Sequence, residues 1–152
     1  MLRAPGIAAL TVLAWAACVI ASDGVLSLLL DIDVVPERGA GSLVGPAMIA
    51  AAVLALLLRL LLGTARGRRS LLPVETLFGT YLVLLVVGAV AYAVVRGDAA
   101  TALLFAAGSA LSLFVLLPAL LAGVAGVVFV AMLRAQDLGA GPPKWPWERD
   151  DH

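Results

Sequence analysis

The sequence predicts an all-α integral membrane protein: four transmembrane helices in a compact bundle with both termini cytoplasmic. Three observations predict it. The chain is 63% hydrophobic and 13% charged, about half the charge of a soluble domain, so there is too little polar surface to coat a water-soluble globule. Its 152 residues hold four apolar runs long enough to cross a hydrocarbon core of about 30 Å. Positive charge is also sorted by side. With the amino terminus inside, Arg3, Arg59, Arg66, Arg68, Arg69, Arg134, Lys144 and Arg149 fall inside, while only Arg38 and Arg96 fall outside. Such a bias orients membrane proteins with the basic loops in the cytoplasm.

The spans are expected at about residues 4–22, 43–62, 73–95 and 101–133, with an outer loop over 23–42. Residues 134–152 form a cytoplasmic tail containing Pro and Trp. The first span starts behind Arg3, with Pro5 suited to a first helical turn. Residues 2–21 already make about 30 Å of helix. A helix ending there leaves Ser22-Asp23-Gly24 as an interfacial turn and spares a carboxylate from lipid. That is the expected register, against the alternative in which the helix continues to Leu30. Arg3, the apolar run and Val19-Ile20-Ala21 also have the outline of a secretory signal. The length of the run and the spans that follow favour a retained helix.

Residues 23–42 carry four acids, Asp23, Asp31, Asp33 and Glu37. Asp31, Asp33 and Glu37 fit no EF-hand spacing and read as a solvated loop. Arg59 lies one turn from the end of the second span, where its long side chain would reach the interface. Pro73 opens the third span, and Glu75 in its first turn suits the helix dipole. Arg96-Gly97-Asp98 reads as a tight turn, with Asp98 capping the next helix. The final run, residues 101–133, would be about 50 Å long as one helix, so a kink is expected at Pro118.

Small residues recur at helical spacing: Gly79, Gly88, Ala89 and Ala93, then Gly108 and Ser112, Ala119 and Gly123, Ala122 and Gly126. They suit close helix packing, within one bundle or between copies. Trp145 and Trp147, beside Lys144, are candidates for an aromatic anchor at the bilayer surface or for docking a cytoplasmic partner.

Several chemistries are excluded. One cysteine, Cys18, forms neither an internal disulfide nor a Cys-x-x-Cys pair, and the one histidine is His152. No Gly-rich phosphate loop, His-Glu-x-x-His or Gly-x-Ser-x-Gly motif is present. No catalytic residue, cofactor or metal site is therefore expected, nor is an enzyme. Net charge is zero, which gives no reason to expect nucleic acid as a partner. The expected partners are the lipid bilayer and a second copy or another membrane protein. The leading expectation is a non-enzymatic subunit or scaffold acting through helix packing, outer loop and tail. The alternative is a small transporter or channel using Asp23 as a proton or cation site.

Read together, Asp31-Ile32-Asp33-Val34-Val35, the run from Gly39 to Pro46, Arg96-Gly97-Asp98 and Lys144-Trp145-Pro146-Trp147-Glu148-Arg149 carry a resemblance. The chain resembles a small family of actinobacterial membrane proteins of unknown function. The resemblance implies four spans and a bacterial plasma membrane, and brings no activity, substrate or catalytic residue.

Overall fold

The computed structural model describes residues 4–31, 44–65, 67 and 69–138. Five helices are seen among them: α1 (Ala4–Leu30), α2 (Val44–Ala65), α3 (Leu72–Arg96), α4 (Ala99–Ser109) and α5 (Leu113–Asp137). The all-α expectation is met. Helices α1, α2, α3 and α5 are long and apolar enough to cross a membrane. The 11 residues of α4 reach about 16 Å, half the thickness of a bilayer core.

α3 packs against α2, α4 and α5, and α1 packs against α2 and α5, which closes a four-helix ring with α4 laid on α3. Neighbours in the ring run antiparallel. Met48 meets Gly88 and Gly63 meets Leu72 across α2 and α3, while Gly123 meets Leu77 and Gly126 meets Pro73 across α5 and α3. The core is aliphatic and aromatic: Val19 of α1, Leu56 and Leu60 of α2, Leu72 and Leu84 of α3, Phe129 of α5. Outward positions are just as apolar, with Leu28, Val94, Leu103 and Leu111 fully open at the surface. Water does not tolerate so much exposed hydrocarbon. The four apolar helices suggest a multi-pass membrane protein.

The expected helix-end chemistry is present around α3. Pro73 sits in its first turn with Glu75, and Gly97 closes it with φ +72°, a left-handed backbone that glycine adopts without a Cβ penalty. Asp98 then caps α4, accepting from the Ala100 N–H at 3.0 Å.

Two expectations are corrected. The first helix does not turn at residue 22: α1 continues unbroken to Leu30. A mid-helix glycine costs only about 1 kcal/mol, too little to stop a helix that packs against α2 and α5. Ser22 bonds back to the Val19 carbonyl at 3.0 Å, as a serine inside a helix does. The helix ends instead at Asp31, which takes φ +51°.

The last apolar run is also not one helix bent at Pro118. It breaks at residues 110–112, into α4 and α5, and Pro118 lies in the second turn of α5. The Tyr81 hydroxyl of α3 donates to the Ala110 carbonyl at 3.0 Å, satisfying an oxygen that the break would otherwise leave without a partner. Ser112 then takes the extended backbone that starts a new helix, a position serine favours. A proline so near a helix start forfeits one N–H bond and is accommodated.

Candidate functional site

The inward residues of α1 recur every fourth position: Ile7, Thr11, Trp15, Val19 and Asp23. Positions four apart share one face of a helix, so the continuation of α1 past residue 22 carries Asp23 onto the same inward stripe. Its residue surface is 7% exposed, and its Oδ1 has no hydrogen-bond partner. The other polar groups of the stripe are satisfied. Thr11 Oγ1 donates to the Ile7 carbonyl at 2.8 Å, and Trp15 Nε1 donates to the Pro118 carbonyl at 3.1 Å. A buried oxygen without a partner costs about 1–3 kcal/mol, more when charged.

The Trp15–Pro118 bond also sets the height of Asp23 in the bundle. Residues 7–18 of α1 line one groove with residues 121–132 of α5, so these helices run antiparallel. Asp23 lies two turns past Trp15, about 12 Å along the axis, and Ser112 lies about 9 Å past Pro118 in the same direction. Asp23 and the break between α4 and α5 therefore lie on the same side of the Trp15–Pro118 bond along the bundle. Ser109, at the end of α4, is buried there, while the side chain of Ser112 makes no capping bond to α5.

No cation approaches Asp23 from the helices packed on α1. The only charged residue of α2 is Arg59, toward the opposite end; its Nη1 donates to the Glu75 carbonyl at 2.8 Å. Its guanidinium crosses Gly79 on the way, so the side chain stops on α3 instead of running straight to the interface. Arg96, one of the two basic residues expected on the outer side, stands 5.6 Å from the centre of the Tyr92 ring, which itself stacks on Phe105. The other, Arg38, lies outside the described residues, as do Asp33, Glu37, Trp145 and Trp147. Asp31 ends α1 and is exposed. Among the described residues no three His, Cys, Asp or Glu side chains come together to hold a metal ion.

Several of the small residues are used inside the bundle, whereas Gly108 is exposed with open space around it. Gly88 faces Met48 and Phe105, Gly123 faces Leu77, and Gly126 faces Thr76 and Pro73. A second feature is the groove between α1 and α5, about 560 Å³ in volume, lined by Ile7, Trp15, Cys18, Leu121 and Val128 among others. Its Thr11 and Trp15 polar atoms are already bonded, so it offers hydrocarbon.

Residues 3–152 match the DUF6121 family, a family of unknown function. The chain belongs to it. That agrees with the family resemblance read from the sequence. No curated protein and no solved structure matches the chain. For this DUF6121 protein, function has to be argued from the site. Sequence reasoning missed Tyr81 as the clasp of the helix break and Trp15 as the link between α1 and α5. The burial of Asp23 had a signal, the four-residue spacing back to Ile7, which the turn-forming pair Asp23-Gly24 outweighed.

Proposed function

We propose that this is a small transporter or channel of a bacterial plasma membrane, with both termini cytoplasmic, that takes up a proton or a cation at Asp23. The observation that carries this is the burial of Asp23 on the inward stripe of α1 with an unpartnered oxygen. An ionisable side chain inside a span is costly to keep, and such residues mark ion pathways and proton relays. The break between α4 and α5, on the same side of the Trp15–Pro118 bond as Asp23, adds to it, because interrupted helices within membranes occur where backbone borders a binding site or cavity. The arginine and lysine distribution supports the orientation. It puts Asp23 in the outer half of the bundle.

The test is reconstitution in liposomes, with proton and alkali-cation flux measured for wild type and for Asp23→Asn. Asp23-dependent flux is expected. Absence of flux, or flux that the substitution leaves unchanged, overturns the reading.

The apolar groove between α1 and α5 favours a second reading, a non-enzymatic subunit whose open face meets another membrane helix. Gentle extraction followed by native mass measurement tests it; a solitary monomer counts against it.

A further inference from the structure

This inference rests on Asp23 being the working residue of the bundle. We propose that the ion Asp23 takes is a proton and not a metal cation.

The argument is the supply of side-chain oxygens on α1 and on the helices packed against it. Calcium takes six to eight oxygen ligands, and magnesium demands an octahedron. α2 carries only two polar side chains, Arg59 and Thr64, and α5 only three, Arg134, Gln136 and Asp137. All five lie toward the end of the bundle away from Asp23. On α1 the neighbouring side-chain oxygens are those of Ser22 and Ser27, and α3 adds Thr80, whose buried Oγ1 is also unpartnered, and the buried Tyr92. Ser27 is one turn on along α1 and half-buried, and Ser22 is committed to the Val19 carbonyl. Ser109 and Ser112 stand at the level of the helix break. One carboxylate and a few hydroxyls spread over separate segments do not make a cage for a hard cation.

A proton needs only the carboxyl oxygen. The charged groups on the elements packed against α1 are Arg59 of α2, and Arg134 and Asp137 of α5. None of them stands on Asp23's half of the bundle. The nearest titratable neighbours on α1 itself are Cys18, which is exposed, and Asp31 at the helix end. With no counter-charge in these positions, uptake of a proton is the least costly way to hold a carboxyl group among apolar side chains.

An apolar carbodiimide tests this directly, because it adds to the protonated acid. The acid proton goes to a carbodiimide nitrogen and the carboxyl oxygen bonds to the central carbon. The adduct then rearranges from oxygen to nitrogen to a stable acylurea, with all atoms retained. The full-length protein in liposomes is treated with dicyclohexylcarbodiimide across a pH series, and modification of Asp23 is read by peptide mass.

The expected result is labelling of Asp23 that declines about tenfold per pH unit above its midpoint. At fixed pH and ionic strength, sodium, potassium or calcium should leave the labelling unchanged. Ser27→Ala and Ser112→Ala should leave it within about twofold. Protection by any one of those cations overturns the proton assignment while leaving Asp23 as an ion site. Absence of labelling at every pH also overturns it; if Asp23→Asn flux is unchanged as well, the proposed function falls with it. Proton-dependent labelling without any proton flux upholds the assignment and removes the transporter reading alone.

Discussion

The guanidinium of Arg59 on α2 lies where a Cβ on Gly79 of α3 would stand. Gly79 is what lets Arg59 reach the Glu75 carbonyl. Gly79→Ala makes the guanidinium, the far end of a flexible side chain, shift from its place beside the Glu75 carbonyl. The expected loss is no more than the worth of one hydrogen bond to a charged group, about 1.5–3 kcal/mol, and smaller where the guanidinium finds another acceptor. Gly108 of α4 has open space around it, so Gly108→Ala should be neutral or stabilise by up to about 1 kcal/mol. Thermal unfolding in detergent compares the two. Equal destabilisation would contradict the specific role given to Gly79.

At Gly126 the backbones of α5 and α3 come close. A Cβ there would meet Thr76 Oγ1 at 2.6 Å and the Pro73 Cα at 2.9 Å, while one at Gly123 would meet only Leu77 side-chain atoms at 3.2 Å and beyond. Backbone cannot yield as a leucine can. Gly126→Ala is expected to cost about 1–3 kcal/mol through overpacking, and Gly123→Ala clearly less. The order of the two unfolding temperatures is the measurement.

Tyr81→Phe removes the donor to the Ala110 carbonyl and leaves that oxygen to the apolar interior. About 0.5–1.5 kcal/mol is the scale of such a bond. The effect should be local: hydrogen exchange should rise over residues 109–116 and stay unchanged in α1 and α2. Uniformly raised exchange would mean that the break is not held by Tyr81.

These contacts mark where the sequence could and could not be read. The four long spans were legible because runs of Leu, Val and Ala without charge have one stable setting. The ends of α3 were legible because Pro73, Gly97 and Asp98 act on backbone within two residues of themselves. The end of α1 was not. Asp23-Gly24 favours a turn locally, whereas packing against α2 and α5 favours helix, and the packing partners are distant in sequence. The break at residues 110–112 was hidden for the same reason. Pro118 is the stronger local signal, but Tyr81, 29 residues before Ala110, supplies the bond that makes the break tolerable. Asp23 was singled out by its chemistry, and its depth followed only once the helix register was known.

Arg69 and Asp137 join the α2–α3 connection to the end of α5. Both side chains are well exposed, at 38% and 60%, so the pair is worth at most about 1 kcal/mol. Arg69→Ala and Asp137→Ala should each shift stability by no more than that, and raised salt should erase the difference from wild type. A larger loss, resistant to salt, would give this contact a structural weight that its exposure does not support.

Asp23 makes the sharpest demand. If the orphaned carboxyl is kept for function, removing it should strengthen the fold while it abolishes the activity. Asp23→Val extends the apolar stripe already set by Ile7, Trp15 and Val19, fills similar volume and eliminates the unpartnered oxygen. The expected gain is about 1–3 kcal/mol, the cost of a buried unsatisfied group, together with loss of Asp23-dependent flux. Asp23→Asn retains a polar group in the same place, so its gain should be smaller. Detergent unfolding and liposome flux on the same preparations separate the two effects. A valine variant less stable than wild type would show that the carboxyl has a partner in the bilayer, and that Asp23 serves the fold.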